Sequence, residues 1–104
     1  MNKLIQELQD DIEMWASKTF DAKRPESTIK HLEKETRELL AQPYDLQEYA
    51  DVGILWLNAA SKAGFTVKDL IAAMIVKHSE NKMRKWGPPD KDGVCEHVRD
   101  SDEV

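Results

Sequence analysis

Apolar residues recur at helical spacing in four segments of the chain, and no segment shows the alternation that is typical of a β-strand. Residues 1–20 carry apolar side chains three or four positions apart, with charged residues between them. A second such pattern covers about residues 26–41 and follows Pro25, a residue that suits a helix start. Ser27 or Thr28 is the expected N-cap of this helix. The pattern therefore predicts two helices separated by a break just before Pro25.

Two further helices are predicted in the second half of the chain. The third covers about residues 45–63, and its segment 54–57 is apolar on nearly every side. A helix segment of this kind is usually covered on more than one face, and in a short chain the missing cover is expected from another subunit. Gly64 is a good helix stop. Thr66 and Asp69 then have the spacing of a capping box, which predicts the start of the fourth helix.

The composition changes at Gly87, where glycine, proline and aspartate dominate. This change predicts a helical domain over residues 1–86 and an irregular, partly mobile tail over residues 87–104. The predicted fold class is all-α: a four-helix bundle completed by oligomerisation, with an irregular C-terminal tail.

The composition narrows the possible partners of the protein. The chain has 104 residues, a net charge of −5 and a single cysteine, Cys95. An acidic chain is a poor ligand for duplex nucleic acid, which is bound mainly through Lys and Arg. No signal peptide is visible, and the longest apolar run, residues 52–57, is far too short for a membrane span. We therefore expect a cytoplasmic protein with no membrane and no duplex nucleic acid among its partners.

Four acidic residues occur as two pairs with the same spacing, Glu35 with Glu38 and Glu48 with Asp51. Residues three positions apart in a helix lie side by side, roughly 5–6 Å apart at Cβ. Two such helices packed face to face would bring four carboxylates together, which is unfavourable unless cations bind among them. The spacing favours a Mg²⁺ site, with Mn²⁺ as a substitute. The alternative is that the acids lie on solvated helix faces.

Two other groups of side chains suit a nucleotide. Lys77, Asn81 and Arg84 fall on one stripe of the fourth helix and could contact phosphate oxygens or sugar. The alternative for the basic residues is a favourable interaction with the helix dipole. Trp15 and Phe20 offer flat apolar surfaces on which a nucleobase could stack, although a place in the hydrophobic core is the favoured explanation.

These motifs together resemble those of one enzyme family. The two acidic frames and the residues around them, His31 to Leu39 and Glu48 to Ile54, resemble the paired acidic motif of the MazG-like all-α nucleoside triphosphate pyrophosphohydrolases. Lys77-x-x-x-Asn81 matches the basic/amide pair of the family's last core helix. The segment from Trp86 to Val98 is similar to a subgroup of dATP/dGTP pyrophosphohydrolases that is frequent in phages and bacteria.

The resemblance implies a MazG-like bundle that hydrolyses a nucleoside or deoxynucleoside triphosphate to the monophosphate and pyrophosphate, as housecleaning of the nucleotide pool. It implies Mg²⁺ held by Glu35, Glu38, Glu48 and Asp51, with Glu35 or Glu38 as the general base. It also implies a homodimer or homotetramer. The sequence departs from the family at Lys34, where many members carry another glutamate.

Two alternatives to this function remain open from the residues alone. One is a non-catalytic helical assembly or regulatory module, in which segment 54–57 binds a partner. The other is the same fold acting on a different pyrophosphate substrate.

Overall fold

Each of the four helical patterns in the sequence forms an α-helix. The computed structural model describes residues 2–20 and 23–99. Its helices are α1 (Asn2–Thr19), α2 (Pro25–Ala41), α3 (Leu46–Lys62) and α4 (Val67–Met83). Among the described residues there is no regular strand, only one isolated antiparallel bridge between Trp86 and His97. The predicted all-α class is confirmed, and residues 21–22 of the predicted break lie outside the described residues.

The start of α2 differs from the prediction in its cap. Arg24 is the N-cap residue, with extended backbone and no side-chain cap hydrogen bond, and Pro25 is the first helical residue. Ser27 and Thr28 both lie inside the helix, so the expectation that one of them caps it was wrong. Proline at the first position explains the difference, because its fixed φ suits a helix and starts α2 before Ser27 is reached.

The ends of α3 and α4 follow the chemistry that the sequence predicts. Asp45 caps α3 by accepting a hydrogen bond from the Gln47 backbone N–H at 2.9 Å. Gly64 follows α3 with a φ of +93°, a conformation that glycine adopts without steric cost. Thr66 and Asp69 form the predicted capping box, in which each backbone N–H donates to the other's side chain, at 3.0 and 3.2 Å.

Two glutamines of α1 hold the connection between α3 and α4. Gln9, the most deeply buried large side chain, donates from Nε2 to the carbonyl oxygens of Leu57 and Phe65 at 3.0 and 3.2 Å. Gln6 accepts from the Val67 backbone N–H at 2.8 Å through Oε1. Backbone N–H groups at a helix start lack partners within their own helix, so Gln6 satisfies one such group at the start of α4.

The helices form two compact units, one up to Ile71 and a second from Ala72 onwards. In the first unit, α3 packs against both α2 and α1. In the second, the chain folds back after α4: Gly87 donates to the Glu96 carbonyl at 2.8 Å, and Val98 donates to the Lys85 carbonyl at 2.7 Å. The domain boundary at residues 86 and 87 stays a prediction, and residues 100–104 lie outside the described part of the tail.

The first unit buries few apolar residues and leaves large ones accessible. Ile54 and Trp56, which lie in the apolar segment of α3, are 41% and 39% exposed. Oligomerisation, which would cover them, stays a prediction. Separately, no helix among the described residues is both long enough and apolar enough to span a membrane.

Candidate metal and nucleotide site

Three carboxylates meet where α2 packs against α3. Glu35 and Glu38 lie one turn apart on α2, and Glu48 lies in the first turn of α3. One carboxylate oxygen of each residue can be chosen so that all three oxygens lie within 4.8 Å of one another. The short connection between the helices brings the end of α2 next to the start of α3, so two segments that are close in sequence supply the whole group.

The carboxylates of Glu35 and Glu48 are only partly compensated by their surroundings. Oε2 of each is enclosed and accepts no hydrogen bond from any described residue. The pKa of Glu35 is raised by a hydrogen bond with Glu38, by burial and by the charges of Glu38 and Asp51. The pKa of Glu48 is raised by burial and by the charges of Glu38, Asp45 and Asp51. Negative charge is therefore concentrated here at a cost in free energy.

Asp51 lies one turn beyond Glu48 on α3 and has a different position from the other three acids. Its charge raises the pKa of both Glu35 and Glu48, so it lies near the group. It is exposed, however, and does not belong to the set of oxygens within 4.8 Å of one another. The structure thus brings together three of the four predicted metal ligands and leaves the fourth beside them.

The chemistry of this group fits a hard divalent cation. Mg²⁺ prefers carboxylate oxygen ligands, and Mn²⁺ accepts the same donors. A cation would pair with the two enclosed oxygens that have no hydrogen-bond donor. Glu35, Glu38 and Glu48 could therefore hold such an ion; which of Glu35 and Glu38 acts as the general base stays a prediction.

A cavity of about 230 Å³ lies between α1, α2 and α3. Its wall includes Trp15 and Phe20, whose rings meet edge to face with centroids 5.2 Å apart. His31 also lines it, and Nε2 of His31 lies 3.5 Å from Oε1 of Glu35. One side chain thus borders both the cavity and the carboxylate group. Trp15 and Phe20 thus line the same cavity, and their stacking role stays a prediction.

At another part of the cavity wall lie Asn58 and Lys62, two polar residues of α3 that the sequence patterns did not single out. Both contact Glu13 of α1: Asn58 Nδ2 donates to Oε2 at 2.6 Å, and Lys62 Nζ lies 3.4 Å from Oε1. Asn58 is 4% exposed and the Lys62 side chain 3%. In the sequence, Glu13 is one of many polar residues of α1, and only the register of α1 against α3 reveals its partners.

The predicted phosphate-binding residues belong to the second unit. Arg84 Nη1 donates to Asn81 Oδ1 at 3.0 Å, and Arg84 Nη2 lies 4.0 Å from Glu80 Oε2. Lys77 Nζ lies 3.7 Å from the same oxygen, and its side chain is well exposed. Lys77 and Asn81 lie on α4, and Arg84 directly follows the helix instead of continuing the predicted stripe. The role of the three residues towards phosphate or sugar stays a prediction.

Comparison with known proteins gives consistent results. A sequence model of the dATP/dGTP pyrophosphohydrolase family matches residues 8–104. The dATP/dGTP diphosphohydrolase of cyanophage S-2L is 36% identical over an alignment of 104 residues. The alignment covers 98% of this chain and 95% of the relative. The enzyme of the same name from Salmonella phage PMBT28 is 37% identical over 97 residues; these cover 92% of this chain but 32% of that longer protein.

A solved structure shares the fold. The cyanophage S-2L MazG-like pyrophosphohydrolase, bound to dGDP and three catalytic Mn²⁺ ions per active site, matches with a TM-score of 0.73 and 34% identity. The match covers 89% of this chain and 95% of that one. The chain therefore belongs to the dATP/dGTP pyrophosphohydrolase family of MazG-like enzymes.

Proposed function

We propose that this enzyme hydrolyses dATP or dGTP to the deoxynucleoside monophosphate and pyrophosphate, with Mg²⁺ or Mn²⁺ as its cofactor. The observation that carries the proposal is the group of Glu35, Glu38 and Glu48, in which two enclosed carboxylate oxygens have no donor among the described residues. The names of the two phage relatives support the purine deoxynucleotide as substrate. The Mn²⁺ ions of the S-2L structure support a divalent cation.

Each acid has a part in this proposal. Glu35, Glu38, Glu48 and Asp51 are the proposed ligands of the cation; the first three have oxygens within 4.8 Å of one another, and Asp51 lies beside them. The cation, when bound, neutralises charge that develops on the phosphate oxygens. Glu35 or Glu38 takes a proton from water as the water oxygen attacks phosphorus at the α–β link. The P–O bond to the β-phosphate then breaks, and pyrophosphate leaves.

The remainder of the substrate has its own proposed contacts. The base enters the cavity beside Trp15 and Phe20, and the position of His31 next to Glu35 supports a nucleotide that extends from the cavity to the carboxylates. Lys77, Asn81 and Arg84 are proposed to bind phosphate or sugar, because charge-assisted hydrogen bonds suit phosphate oxygens.

We also propose that the enzyme is a homodimer or homotetramer in the cytoplasm. The accessible Ile54 and Trp56 on α3 support a second copy as the cover of this helix. Light scattering coupled to gel filtration measures the mass, and a monomer at micromolar concentration would contradict the proposal.

The decisive experiment is a product assay over the eight common NTPs and dNTPs, in Mg²⁺ and in Mn²⁺. We expect pyrophosphate and the monophosphate from dATP or dGTP. We expect Glu48→Ala to lower kcat/KM by more than about 100-fold, because metal ligands matter at least as much as the groups that orient them. The matched control is Glu33→Ala, an exposed acid of α2 paired with Arg37.

Three results would contradict the proposal. They are an absence of turnover in both metals, release of phosphate and a diphosphate instead of pyrophosphate, and unchanged activity in Glu48→Ala.

A further inference from the structure

The amide of Asn58 is held in a single orientation at the wall of the cavity. Its Nδ2 lies 2.6 Å from Oε2 of Glu13. An ionised carboxylate only accepts hydrogen bonds, so the nitrogen of the amide must face Glu13 and the oxygen cannot take its place. Lys62 Nζ lies 3.4 Å from the other carboxylate oxygen. Glu13 thereby prevents the amide from flipping.

Because the amide cannot flip, its remaining donor and its acceptor have fixed positions. Nδ2 carries a second N–H, and Oδ1 accepts no hydrogen bond from any described residue. Asn58 lines the cavity and is 4% exposed, so a bound molecule is the natural partner for these groups. Neither atom of this amide is an enclosed atom without a partner, so its unused donor and acceptor are accessible to a molecule in the cavity.

The two purines present opposite groups to such an amide. Adenine has an amino donor next to a ring-nitrogen acceptor, whereas guanine has a keto acceptor next to a ring N–H donor. An amide that can flip matches both bases. An amide that is locked matches one and opposes the other, donor against donor and acceptor against acceptor.

We propose, on the basis of the proposed function, that Asn58 is the residue that discriminates between the amino and the keto purine. Glu13 is then the positioning residue that makes Asn58 selective. Glu13 itself does not touch the base. The simpler view is that Glu13, Asn58 and Lys62 only tie α1 to α3, in which case their loss would affect stability and leave base preference unchanged.

The test compares kcat/KM for dATP and for dGTP in one enzyme preparation. We expect the wild-type enzyme to prefer one purine by at least about tenfold, the usual effect of one mismatched hydrogen-bonding pair. Glu13→Gln keeps the shape of the side chain but offers both a donor and an acceptor, so Asn58 can flip. The ratio should then fall to within about threefold or reverse, mainly through KM, because Lys62 can hold the new carbonyl oxygen and turn the new amide nitrogen towards Asn58.

Further variants separate positioning from stability. Asn58→Leu should remove the preference, and Glu13→Gln should have no added effect on the ratio in that background, because Glu13 acts through Asn58. Glu7→Gln, an exposed acid on the same helix, is the matched control and should keep the wild-type ratio. Partial unfolding cannot mimic the effect, since a ratio of two substrates does not depend on the fraction of active enzyme. If Asn58→Leu does not fold, the ratio in Glu13→Gln still decides.

The outcomes are distinct. A wild-type ratio near one, or a Glu13→Gln ratio equal to that of the wild type, would overturn this inference and leave the proposed function intact. An absence of turnover of both purines would overturn the proposed function and the inference with it.

Discussion

The enzyme has partly buried carboxylates in two places, and their surroundings are opposite. Glu13 faces the Asn58 amide and the Lys62 ammonium, so both of its oxygens have partners. Glu35 and Glu48 face other acids, and each keeps an enclosed oxygen without a donor among the described residues. A compensated carboxylate can fix the position of its neighbours, whereas an uncompensated one stores a free-energy cost that a cation removes. The comparison distinguishes two roles for a glutamate: it can position a neighbour, or it can bind a cation.

The largest effect that tests this comparison is stabilisation by metal. Because a cation is expected to bind the folded carboxylate group, Mg²⁺ or Mn²⁺ at 100 times its Kd should raise the free energy of unfolding by about 2.7 kcal/mol. Glu35→Gln should lose most of this gain, and Glu33→Gln, an exposed acid on the same helix, should keep it. Thermal unfolding with and without metal measures the difference. An equal gain in Glu35→Gln would show that the cation binds elsewhere.

Loss of the Lys62 ammonium, which compensates Glu13, should have a somewhat smaller effect. Lys62→Met deletes a buried ammonium and leaves Glu13 with the Asn58 amide. We expect a loss of roughly 2 kcal/mol, below the full cost of breaking a buried pair because Glu13 is partly exposed. Urea unfolding measures the loss. The gain from metal should be unchanged, and a joint loss of both would mean that the two sites are coupled.

A substitution away from both carboxylate sites provides the control. Thr66→Ala removes the hydroxyl that accepts from the Asp69 backbone N–H, and should cost about 1 kcal/mol. Hydrogen bonds from Thr66 lower the pKa of Asp69, so the stability that this carboxylate contributes is lost as the pH falls through the lowered pKa. Urea unfolding at neutral and acidic pH measures both effects. Neither the gain from metal nor the base preference should change.

The smallest effect concerns the metal-free enzyme. Raised pKa values mean that native Glu35 and Glu48 bind more protons than the unfolded chain does, between the ordinary glutamate pKa and the raised one. Stability should therefore fall as the pH rises through this window, and Glu48→Gln should weaken that dependence and raise Tm at neutral pH. Melting in a chelator from acidic to neutral pH measures it. A steeper dependence in Glu48→Gln would contradict the expected sign.

Much of the fold could be predicted because its signals are local. Helical spacing, Pro25, Gly64 and the Thr66–Asp69 capping box each act within a few residues, and the structure contains the predicted helices. The cap of α2 was predicted wrongly because Pro25 starts the helix before Ser27 and Thr28 are reached. Local chemistry identifies that a helix starts more reliably than it identifies the first residue.

The candidate site was predictable in part for the same reason. Glu35, Glu38 and Glu48 lie on consecutive helices joined by a short turn, so their spacing already implies that they meet. The exposure of Asp51, one turn farther on, depends on how closely α2 and α3 approach there. Glu13 meets Asn58 across 45 positions of sequence. That contact depends on the register of α1 against α3, which no local pattern encodes.

The edge-to-face contact between Trp15 and Phe20 at the cavity wall has a practical consequence. The chain has three tryptophans, and the indole of Trp15, at 58% residue exposure, is partly hydrated. Indole fluorescence shifts to shorter wavelength when water is displaced, and a stacked base quenches it. Trp15 fluorescence can therefore report binding in the cavity. With Trp56 and Trp86 replaced by phenylalanine, occupancy could be followed by emission in real time, without a labelled nucleotide and before any bond is broken.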